Sequence, residues 1–535
     1  MSRAAPILLA LALFLTGLGR DRFDDWVATT RLPPLVTDTS VEVRDRNGDL
    51  MRAYTVADGR WRLEASLGAV DRRYVDLLLA YEDKRFYRHS GVDAIALVRA
   101  AALAIWHRDI VSGGSTLTMQ VARLLEDAPT GRWRSKLRQI RVALALERRL
   151  TKDEILTIYL NRAPFGGNLE GVRSAALAYF GKEPRRLTTA QAALLVALPQ
   201  SPEARRPDRF SGNAHAARRR VLDRSVASGV IDAEARNAAE TEPLPTARRD
   251  FPALAAHLAD RTRAQAPAGG IYRLTLDSRL QARLEELAER AAHEAGERLS
   301  IAVLVADHRT GEILSSVGSA GYRNGARQGF VDMTQAIRSP GSTLKPLVYG
   351  LAFDQGLAHP ETLIDDRPVA FGSYAPQNFD GQFRGTVRVR DALQMSLNIP
   401  VVKLTDALGP ARLLSHLRRA GTETRLPGGT PGLAVALGGV GVSLEGLVRL
   451  YSSLANGGRA VDLYSAYGQR NTATPQTVVS EEAAWLVSNI LSDIAPPRGA
   501  ARTGLAYKTG TSYGYRDAWA IGFDGAHVAG VWMGR

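Results

Sequence analysis

The spacing of apolar residues changes part-way along the chain, and this change limits the folds open to it. Helical periodicity dominates from about Tyr74 to Leu198. Short apolar strands are predicted downstream, at 301–306, 312–317, 506–508, 518–523 and 527–533. At 535 residues the chain is also too long for one ordinary domain. We therefore predict a mostly-α domain followed by an α+β domain whose single sheet is closed by distant segments.

Local signals refine this division. The segments 151–154 (TKDE) and 188–191 (TTAQ) each place Thr three residues before Glu or Gln, which predicts two capping boxes at helix starts. The pair Asn47-Gly48 between alternating residues predicts a β-hairpin. An amphipathic helix is predicted over 280–297. The predicted domain limits are 40–205 for the helical domain, 206–297 for a linker rich in Arg, Pro and Ala, and 298–535 for the second domain.

The N-terminal segment and the net charge limit where the protein can be located and what it can bind. An apolar run over residues 4–19 follows Arg3, and its length lies between a signal-peptide core and a full membrane span of about 20 residues. We predict that 4–20 is an uncleaved membrane anchor, with cleavage near Gly17 or Gly19 as the alternative. The net charge of +14 suits nucleic acid, phospholipid headgroups or a diphosphate substrate equally well. The chain has no cysteine, which excludes disulfides and thiol catalysis.

A first set of polar residues lies in the helical domain. The segment 81–91 (YEDKRFYRHSG) puts two carboxylates, a histidine and aromatic rings at a predicted helix end. The segment 113–120 (GGSTLTMQ) supplies hydroxyls and an amide, and Lys136, Arg138 and Arg141 follow. Glycosyl transfer needs a base for the acceptor hydroxyl and cations for a departing diphosphate. Each piece alone is more often a solvated pair or an ordinary loop.

Together these segments resemble the glycosyltransferase domain of class A penicillin-binding proteins. ED-x-x-F-x-x-H-x-G, GGST-x-T-x-Q, the Lys136 helix, YLNRAPFGGNLEGVRSAALAYFGK and LTTAQAALLVALPQSP occur in family order over roughly 70–205. The resemblance implies a lysozyme-like fold with Glu82 as the general base that activates the acceptor 4-hydroxyl against a lipid-linked donor. It also implies a set of substrate-binding residues: Asp83, which shapes the loop with Phe86 and His89, and Ser115, Thr116, Gln120, Lys136, Arg138 and Gln139.

The chain departs from this family at Gln139, where Glu is usual. A neutral amide carries no charge, so the resemblance leaves open whether a divalent cation, Mg²⁺ or Mn²⁺, binds in the glycosyltransferase site. No metal ligand is assigned and no other cofactor is indicated. Glu147 lies about two turns beyond Gln139 near the same helical stripe, and we expect it to form a structural ion pair.

A second set of motifs occupies the C-terminal part. Ser342-x-x-Lys345, Ser396-x-Asn398 and Lys508-Thr-Gly510 follow in the order known for penicillin-binding proteins and related β-lactamases. Ser and Lys at i,i+3 share one helix face, and a buried lysine can remove the serine proton. After Lys182 the chain holds three lysines, of which two complete these motifs. The third, Lys403, is expected to be structural.

The longer strings RSPGSTLKPLVYGLAFDQGL and GTVRVRDALQMSLNIPVVKL resemble the transpeptidase domain of the same family, over about 298–535. The resemblance implies a role for each motif residue: Ser342 as acyl nucleophile, Lys345 as its base, Ser396 and Asn398 in proton relay and peptide binding, Lys508, Thr509 and Gly510 at the substrate carboxylate, and the N–H groups of Ser342 and Thr511 as oxyanion hole. Within the family, the segments DMTQAIRSPGSTLKP and GGSTLTMQVARLL most resemble the 1C subgroup. That subgroup usually extends further, so we expect a segment beyond Arg535.

These observations predict a bifunctional peptidoglycan synthase, anchored in the inner membrane with its catalytic domains in the periplasm. Its expected partners are lipid II, nascent glycan strands, stem peptides, β-lactams as inhibitors, the membrane and other cell-wall proteins, but not nucleic acid. The main alternative is a glycosyltransferase whose second domain binds β-lactams or peptides but crosslinks poorly. A serine β-lactamase or carboxypeptidase would leave the first set of residues unexplained, and Leu397 offers no deacylation base. An inactive scaffold is disfavoured because both catalytic sets are present.

Overall fold

The computed structural model describes residues 4–36, 38–96, 98–99, 114–126, 133–265, 269–469, 474–497, 499–501 and 504–535. The predicted loop residue Gly113 and the residue Arg3 lie outside them. The chain forms two compact units. Unit 1 comprises Met1–Glu42, Ala53–Phe251 and Pro267–Gly270, and unit 2 comprises Val43–Arg52, Pro252–Ala266 and Ile271–Arg535.

Unit 1 is mainly helical. Its helices are α1 (Ala4–Ala28), α2 (Arg72–Glu82), α3 (Leu117–Glu126), α4 (Trp133–Glu147), α5 (Lys152–Arg162), α6 (Val172–Phe180), α7 (Thr189–Ala197), α8 (Ser211–Ala227) and α9 (Ala233–Thr241). Two short parallel strands, β3 (Trp61–Arg62) and β4 (Leu169–Glu170), pair with each other. The described part of this unit therefore has the mostly-α character that the apolar spacing predicts.

The predicted capping boxes define two helix starts in unit 1. The Thr151 hydroxyl accepts from the Glu154 N–H while the Glu154 carboxylate accepts from the Thr151 N–H, and α5 begins there. Thr188 and Gln191 make the same reciprocal pair at the start of α7. Each box satisfies two backbone donors that a helix start leaves without partners.

The core of unit 1 extends into the predicted linker. Helix α8 places Ala214, Ala217, Val221 and Leu222 in the same apolar core as α2 and α7. The first part of the 206–297 segment is therefore packed structure, because its apolar residues recur at helical spacing. Among the residues with described structure, no helix is both long enough and apolar enough to cross a membrane.

Unit 2 is built around a five-stranded antiparallel sheet. Its strands, in spatial order, are β10 (Ala506–Thr511), β11 (Asp517–Phe523), β12 (His527–Gly534), β6 (Ser300–Asp307) and β7 (Ile313–Val317). Strands from both ends of the unit thus meet, as predicted, with β12 paired to β6. The consequence for function is that β10 is an edge strand with one side unpaired within the sheet.

Helices cover both faces of this sheet. Helix α11 (Ser278–Ala295) packs Ala288 and Ala292 against Ile301 and Val303 of β6. On the other face, Gly530 lies so close to α16 (Leu444–Ala455) that a side chain there would meet Val448. The sheet is therefore the middle layer of an α+β unit.

The remaining elements belong to unit 2, except that β1 begins at Glu42 and β2 ends at Ala53, two residues of unit 1. They are β1 (Glu42–Arg44), β2 (Leu50–Ala53), α10 (Ala256–Gln265), β5 (Ile271–Arg273), α12 (Lys345–Asp354), β8 (Leu363–Asp366), β9 (Gly385–Arg388), α13 (Val389–Gln394), α14 (Asn398–Leu408), α15 (Pro410–Arg419) and α17 (Glu481–Ser492). The predicted hairpin at Asn47-Gly48 joins β1 and β2, and Gly48 takes a positive φ of 92° there. Glycine suits this turn because it has no Cβ to clash.

Two candidate active sites

The first site centres on Glu82, the last residue of α2. Its two carboxylate oxygens each accept a hydrogen bond from an amide: Gln120 Nε2 donates to Oε2 at 2.9 Å, and Gln200 Nε2 donates to Oε1 at 2.7 Å. Burial raises the pKa of Glu82, against the two amide hydrogen bonds and the charges of Arg224 and Arg205, which lower it. The result is a carboxylate held in one orientation and made more basic than a solvated one.

Asp83 lies next to Glu82 but contacts only the protein in its described interactions. Its Oδ2 accepts from the Leu117 N–H at 2.9 Å and lies 2.9 Å from His89 Nε2. The Gly91 N–H donates to His89 Nδ1, so the ring proton lies on Nε2 and points at Asp83. Asp83 thus ties the loop after α2 to the start of α3.

The predicted hydroxyl residues gather before α3 and differ in what they contact. The Thr116 hydroxyl is buried, donates to the Gly91 carbonyl at 2.6 Å and accepts from the Met119 N–H. Its contacts therefore order the loop. The Ser115 hydroxyl accepts from the ammonium of Lys136 on α4. Ser115 and Lys136 are thus brought together as a polar pair near the start of α3.

Helix α4 carries the predicted cationic residues. Burial and the neighbouring charge of Arg123 lower the pKa of Lys136. Arg138 donates to Glu126 Oε1 at 2.8 Å and to the Arg31 carbonyl at 2.9 Å, so its guanidinium has protein partners. Gln139 is buried, with 7% of its surface exposed. Among the described residues, no group of three or more His, Asp and Glu side chains is arranged to hold a metal ion.

Glu147 forms the structural contacts expected of it. Its Oε1 accepts from Lys152 Nζ at 2.6 Å and from the Thr118 hydroxyl at 2.6 Å. The Lys152 ammonium also lies 4.5 Å from the centre of the Phe86 ring. This ion pair joins α3, α4 and α5.

Two basic residues near Glu82 were not singled out by the sequence. Arg205 donates to the Ala197 carbonyl at 2.6 Å and to Gln200 Oε1 at 3.1 Å. Arg224 on α8 lies 5.2 Å from the Tyr81 ring centre. Gln200 belongs to the quoted string LTTAQAALLVALPQSP, but its contact with Glu82 joins residues 118 positions apart. No local pattern could reveal that contact.

The second site is built around the turn that carries Ser342. Ser342 lies in a short 3₁₀ turn, Gly341–Leu344, and Lys345 is the first residue of α12. Gly341 has a positive φ of 55°, and a Cβ there would lie 2.3 Å from the Thr511 carbonyl. A Cβ on Gly510 would lie 2.6 Å from the Pro340 carbonyl. The nucleophile turn and β10 therefore touch backbone to backbone.

Lys345 is fully buried among oxygen acceptors. Its Nζ donates to Asn398 Oδ1 at 2.7 Å, to the Leu397 carbonyl at 3.1 Å and to the Ser396 hydroxyl at 3.2 Å, and it also contacts the Ser396 carbonyl. Burial and the charge of Lys508 hold the pKa of Lys345 well below its usual range. A lysine with a lowered pKa gives up its own proton more readily than a solvated lysine, which is the property that a general base requires.

The other predicted residues line one cleft of about 770 Å³ together with Ser342. They are Ser396, Asn398, Thr509, Gly510 and Thr511. Lys508 is buried and is not among the residues that line the cleft. Burial lowers its pKa to about 8, and its Nζ donates to the Thr509 carbonyl. Ser396 has a positive φ of 58°, which is strained for a residue with a side chain and is typical of functional positions.

The sequence did not single out the aromatic residues of this cleft. Phe379 and Tyr515 lie on its rim with ring centres 5.6 Å apart, and Tyr513 is fully exposed beside them. Lys403, expected to be structural, donates to the Asp365 carbonyl at 2.9 Å.

Comparison with known proteins decides the family. Residues 47–226 match the Transglycosylase family, and residues 301–533 match the Penicillin binding protein transpeptidase domain. The chain is 42% identical to Penicillin-binding protein 1C of Escherichia coli (strain K12), over 99% of this chain and 68% of that protein. The chain belongs to the class A penicillin-binding proteins. As a class A penicillin-binding protein it contains a glycosyltransferase domain and a transpeptidase domain, and the likeness to the 1C subgroup is confirmed.

Two more distant matches of this class A penicillin-binding protein are also named penicillin-binding proteins. It is 28% identical to Penicillin-binding protein 1F of Bacillus subtilis (strain 168), over 94% of this chain and 74% of the relative. The crystal structure of Penicillin-Binding Protein 1A from Haemophilus influenzae is 17% identical and aligns with a TM-score of 0.53, covering 94% of this chain and 88% of that one. This last likeness shows the fold. The Glu82 site lies within the transglycosylase match, and the Ser342 site lies within the transpeptidase match.

Proposed function

We propose that this class A penicillin-binding protein polymerises lipid II into glycan strands at Glu82 and crosslinks stem peptides through Ser342. The observation that carries the proposal is the presence of a buried, oriented proton acceptor in each domain: Glu82 between two amides, and Lys345 within its set of oxygens. Residues with shifted pKa values and fixed orientation mark catalytic groups.

In the glycosyltransferase domain, Glu82 takes the proton from the acceptor 4-hydroxyl. The freed oxygen attacks C1 of the lipid-linked sugar, the bond from C1 to the diphosphate oxygen breaks, and the lipid diphosphate leaves. Lys136 and Ser115 are the polar pair that receives this charge in the proposal. Gln139 and Lys136 are a neutral amide and a cation, so this donor set does not fit a divalent metal, which prefers carboxylate oxygens. No step therefore runs through a metal.

In the transpeptidase domain, neutral Lys345 takes the proton from Ser342. The serine oxygen attacks the penultimate D-Ala carbonyl, and the N–H groups of Ser342 and Thr511 stabilise the oxyanion. The close contact of the Gly341 turn with β10 supports this pairing of donors. The amide bond to the terminal D-Ala then breaks, and its amine takes the proton held by Lys345 and leaves. The amine of a second stem peptide attacks the acyl-enzyme carbonyl and gives its proton to Lys345, which returns a proton to Ser342 as the ester bond breaks.

Recognition of the substrate carboxylate falls to β10 in this proposal. Thr509 is exposed on the edge strand and lines the cleft beside Ser342. Lys508, with its pKa of about 8, supplies positive charge. A β-lactam presents a carboxylate and a strained carbonyl to the same groups, which makes it the expected inhibitor.

The test is an assay on lipid II that reads both glycan length and crosslinks. We expect long glycan strands with crosslinks between stem peptides that disappear on addition of penicillin. The competing function is a glycosyltransferase whose second domain acylates but crosslinks poorly, and it predicts glycan strands without crosslinks although labelled penicillin still binds. Absence of any polymer would contradict the glycosyltransferase half of the proposal.

The cellular setting is part of the proposal. We propose that residues 4–20 hold the chain at the inner membrane with both catalytic domains in the periplasm, supported by the apolar run behind Arg3. We also propose that 40–205 and 298–535 hold the catalytic residues of the two domains, with α8 completing the core of the first. Fractionation of cells that express the chain with and without residues 4–20 tests the anchor. Equal membrane recovery of the two forms would contradict it.

A further inference from the structure

A buried carboxylate in unit 2 has no place in the steps above. Asp366, the last residue of β8, is fully buried. Its two oxygens accept from Asn378 Nδ2 at 2.9 and 2.8 Å, and its Oδ2 also accepts from the Arg384 N–H at 2.8 Å. A carboxylate removed from water is costly unless its lone pairs are satisfied in this way. The buried Asp366 carboxylate is therefore satisfied by hydrogen bonds, and its side-chain partner is the Asn378 amide.

Asp366 fixes which way the Asn378 amide faces. A carboxylate only accepts hydrogen bonds, so the donor end of Asn378, Nδ2, must point toward it. Nδ2 also donates to the Gln382 carbonyl at 2.8 Å, which confirms the same orientation. The acceptor end, Oδ1, is thereby aimed away from β8. It accepts from the Asn398 N–H at 2.7 Å.

That contact caps helix α14 from outside. Asn398 is the first residue of α14, and the residue before it, Leu397, gives no side-chain cap. The first N–H groups of a helix have no partners within the helix. Asn378 supplies one, and the adjacent Gln377 carbonyl accepts from Asn398 Nδ2 at 2.7 Å. Asn398 is thus held at its backbone and its side chain by two consecutive residues.

The orientation of Asn398 then decides its contact with Lys345. With Nδ2 directed at Gln377, Oδ1 faces Lys345 Nζ at 2.7 Å. The same short segment contributes the Ser396 and Leu397 carbonyls to Lys345. Ser396 is held at a strained φ of 58°, so the segment needs support from its neighbours to keep this shape.

We propose that Asn378, oriented by the buried carboxylate of Asp366, is a positioning residue for acylation of Ser342, which it serves by fixing Asn398 against Lys345. The proposal rests on the proposed transpeptidase function of the Ser342 site. Neither Asp366 nor Asn378 touches Lys345 in this arrangement. Their positioning effect reaches the base through Asn398, while the charge of Asp366 also acts on Lys345 across space.

The test measures the acylation rate constant of the full chain with labelled penicillin, corrected for the folded fraction. Asn378→Asp keeps the oxygen that faces Asn398 but turns the donor into an acceptor facing Asp366. We expect acylation to slow by about 10²-fold, the usual effect of a misplaced catalytic group. Asp380→Asn is the matched control, because Asp380 lies on the same loop, half-exposed and paired with Arg384. It should acylate at the wild-type rate.

A double variant separates positioning from a general loss of structure. In Asp366→Asn/Asn378→Asp, the new amide at 366 can donate to the new carboxylate at 378, whose other oxygen still accepts from Asn398. Acylation should recover by about tenfold over Asn378→Asp, less than fully because the Gln382 carbonyl loses its donor. If Asn378→Asp does not fold, the double variant is compared with the wild type, and a rate within about tenfold supports the proposal while a deeper loss overturns it.

The pH profile gives a second readout. The charged groups that act on Lys345 are Lys508, which lowers its pKa, and Asp366, which raises it. Asp366→Asn removes the negative charge, so Lys345 becomes neutral at lower pH and the acid limb of acylation should move to lower pH. In the double variant the charge moves closer to Asn398, and the limb should move to higher pH. If the acid limb of acylation lies at the same pH in both variants, the proposal is overturned.

The outcomes distinguish this inference from the function on which it rests. If wild-type chain takes up no label on Ser342, the proposed transpeptidase function fails. If the wild type is labelled but Asn378→Asp acylates as fast as the wild type, or is slowed no more than Asp380→Asn, only the positioning role of Asn378 fails.

Discussion

At the scale of one residue, two amides tune the carboxylate of Glu82, the proposed general base. Burial raises its pKa, while the hydrogen bonds from Gln120 and Gln200 lower it and hold the carboxylate still. Gln120 lies within a quoted motif, whereas the role of Gln200 follows only from the fold. The Gln200 contact can therefore be removed without touching a predicted substrate-binding residue.

We predict that Gln200→Ala moves the acid limb of polymerisation to higher pH. Loss of the amide donor raises the pKa of Glu82 further, and Glu82 must be ionised to act as a base. Polymerisation should therefore fall most at acidic pH, and less where the carboxylate is ionised in both forms. The measurement is the rate of polymer formation across pH. Asn213→Ala is the control, since that amide bonds the Ala204 carbonyl; an equal shift in both variants would contradict the role of Gln200.

Gln139 gives a second prediction at this scale. It is buried on α4, the helix that also carries Lys136, so Gln139→Glu would place a carboxylate where water cannot solvate it. That carboxylate needs a cation, so polymerisation by the variant should depend on added Mg²⁺ or Mn²⁺ more than wild-type polymerisation does. Metal titration of both proteins, with EDTA as the zero point, is the measurement.

The matched variant for this experiment is Lys136→Ala. It should lose most polymerisation with or without metal, because the proposal gives the leaving-group charge to Lys136. If EDTA abolishes wild-type polymerisation and Gln139→Glu does not change the metal dependence, Gln139 is only structural. If Lys136→Ala polymerises normally, the account of diphosphate stabilisation is wrong.

At the scale of elements, the turn that carries Ser342 can approach β10 closely because Gly341 and Gly510 have no side chains. Gly341 has no room for a Cβ, which would lie 2.3 Å from the Thr511 carbonyl. We predict that Gly341→Ala separates the turn from β10 and slows penicillin acylation by about 10²-fold, because both oxyanion donors shift. The measurement is the acylation rate of folded protein.

Gly356→Ala is the matched control for this substitution. Gly356 follows α12, has a similar positive φ of 65°, and has no atom within 4 Å of a Cβ. It therefore suffers the same kind of backbone strain, roughly 1 kcal/mol, without the clash. Acylation that slows equally in the two variants would show that strain, not the contact with β10, explains the loss.

The same scale shows why sequence reasoning succeeded in some places and failed in others. The capping boxes at Thr151 and Thr188 join residues three positions apart, and these local patterns predicted the helix starts correctly. The meeting of strands from both ends of unit 2 was also predicted, because their apolar runs need a common layer. Helix α8 lies in the segment predicted as a linker with short helices, and its packing in the core of unit 1 could not be predicted from its Arg-rich composition.

The contacts that sequence reasoning missed join residues far apart in the chain, or involve residue types that no local pattern distinguishes. Gln200 reaches Glu82 across 118 positions, and Asn378 reaches Asn398 across 20. Asp366 stands in a run of polar residues, where nothing marks it as the buried one. Periodicity and motif spacing describe neighbours on one element, so contacts between elements require the fold.

At the scale of the whole molecule, the two sets of catalytic residues belong to different units. We predict that Glu82→Gln reduces polymerisation by about 10² to 10⁴-fold while penicillin still labels Ser342 at the wild-type rate. The measurements are polymer formation from lipid II and labelling in the same preparation. Polymer made at the wild-type rate would contradict the assignment of Glu82.

The reciprocal substitution completes this prediction. Ser342→Ala should abolish penicillin labelling and crosslinks while glycan strands still form, because no other nucleophile is proposed. Label that persists on another serine would show that the wrong Ser-x-x-Lys motif was chosen.

The oxygens around Lys345 have one more consequence. Removing the proton from Ser342 turns a neutral amine into an ammonium ion, a species that water would normally have to surround. Here the shell is already in place, made of the Ser396 and Leu397 carbonyls, the Ser396 hydroxyl and Asn398. Because these dipoles do not have to turn, the new charge meets little reorganisation energy. The protein thus carries a fixed solvation sphere for the ammonium ion that the proposed proton transfer creates.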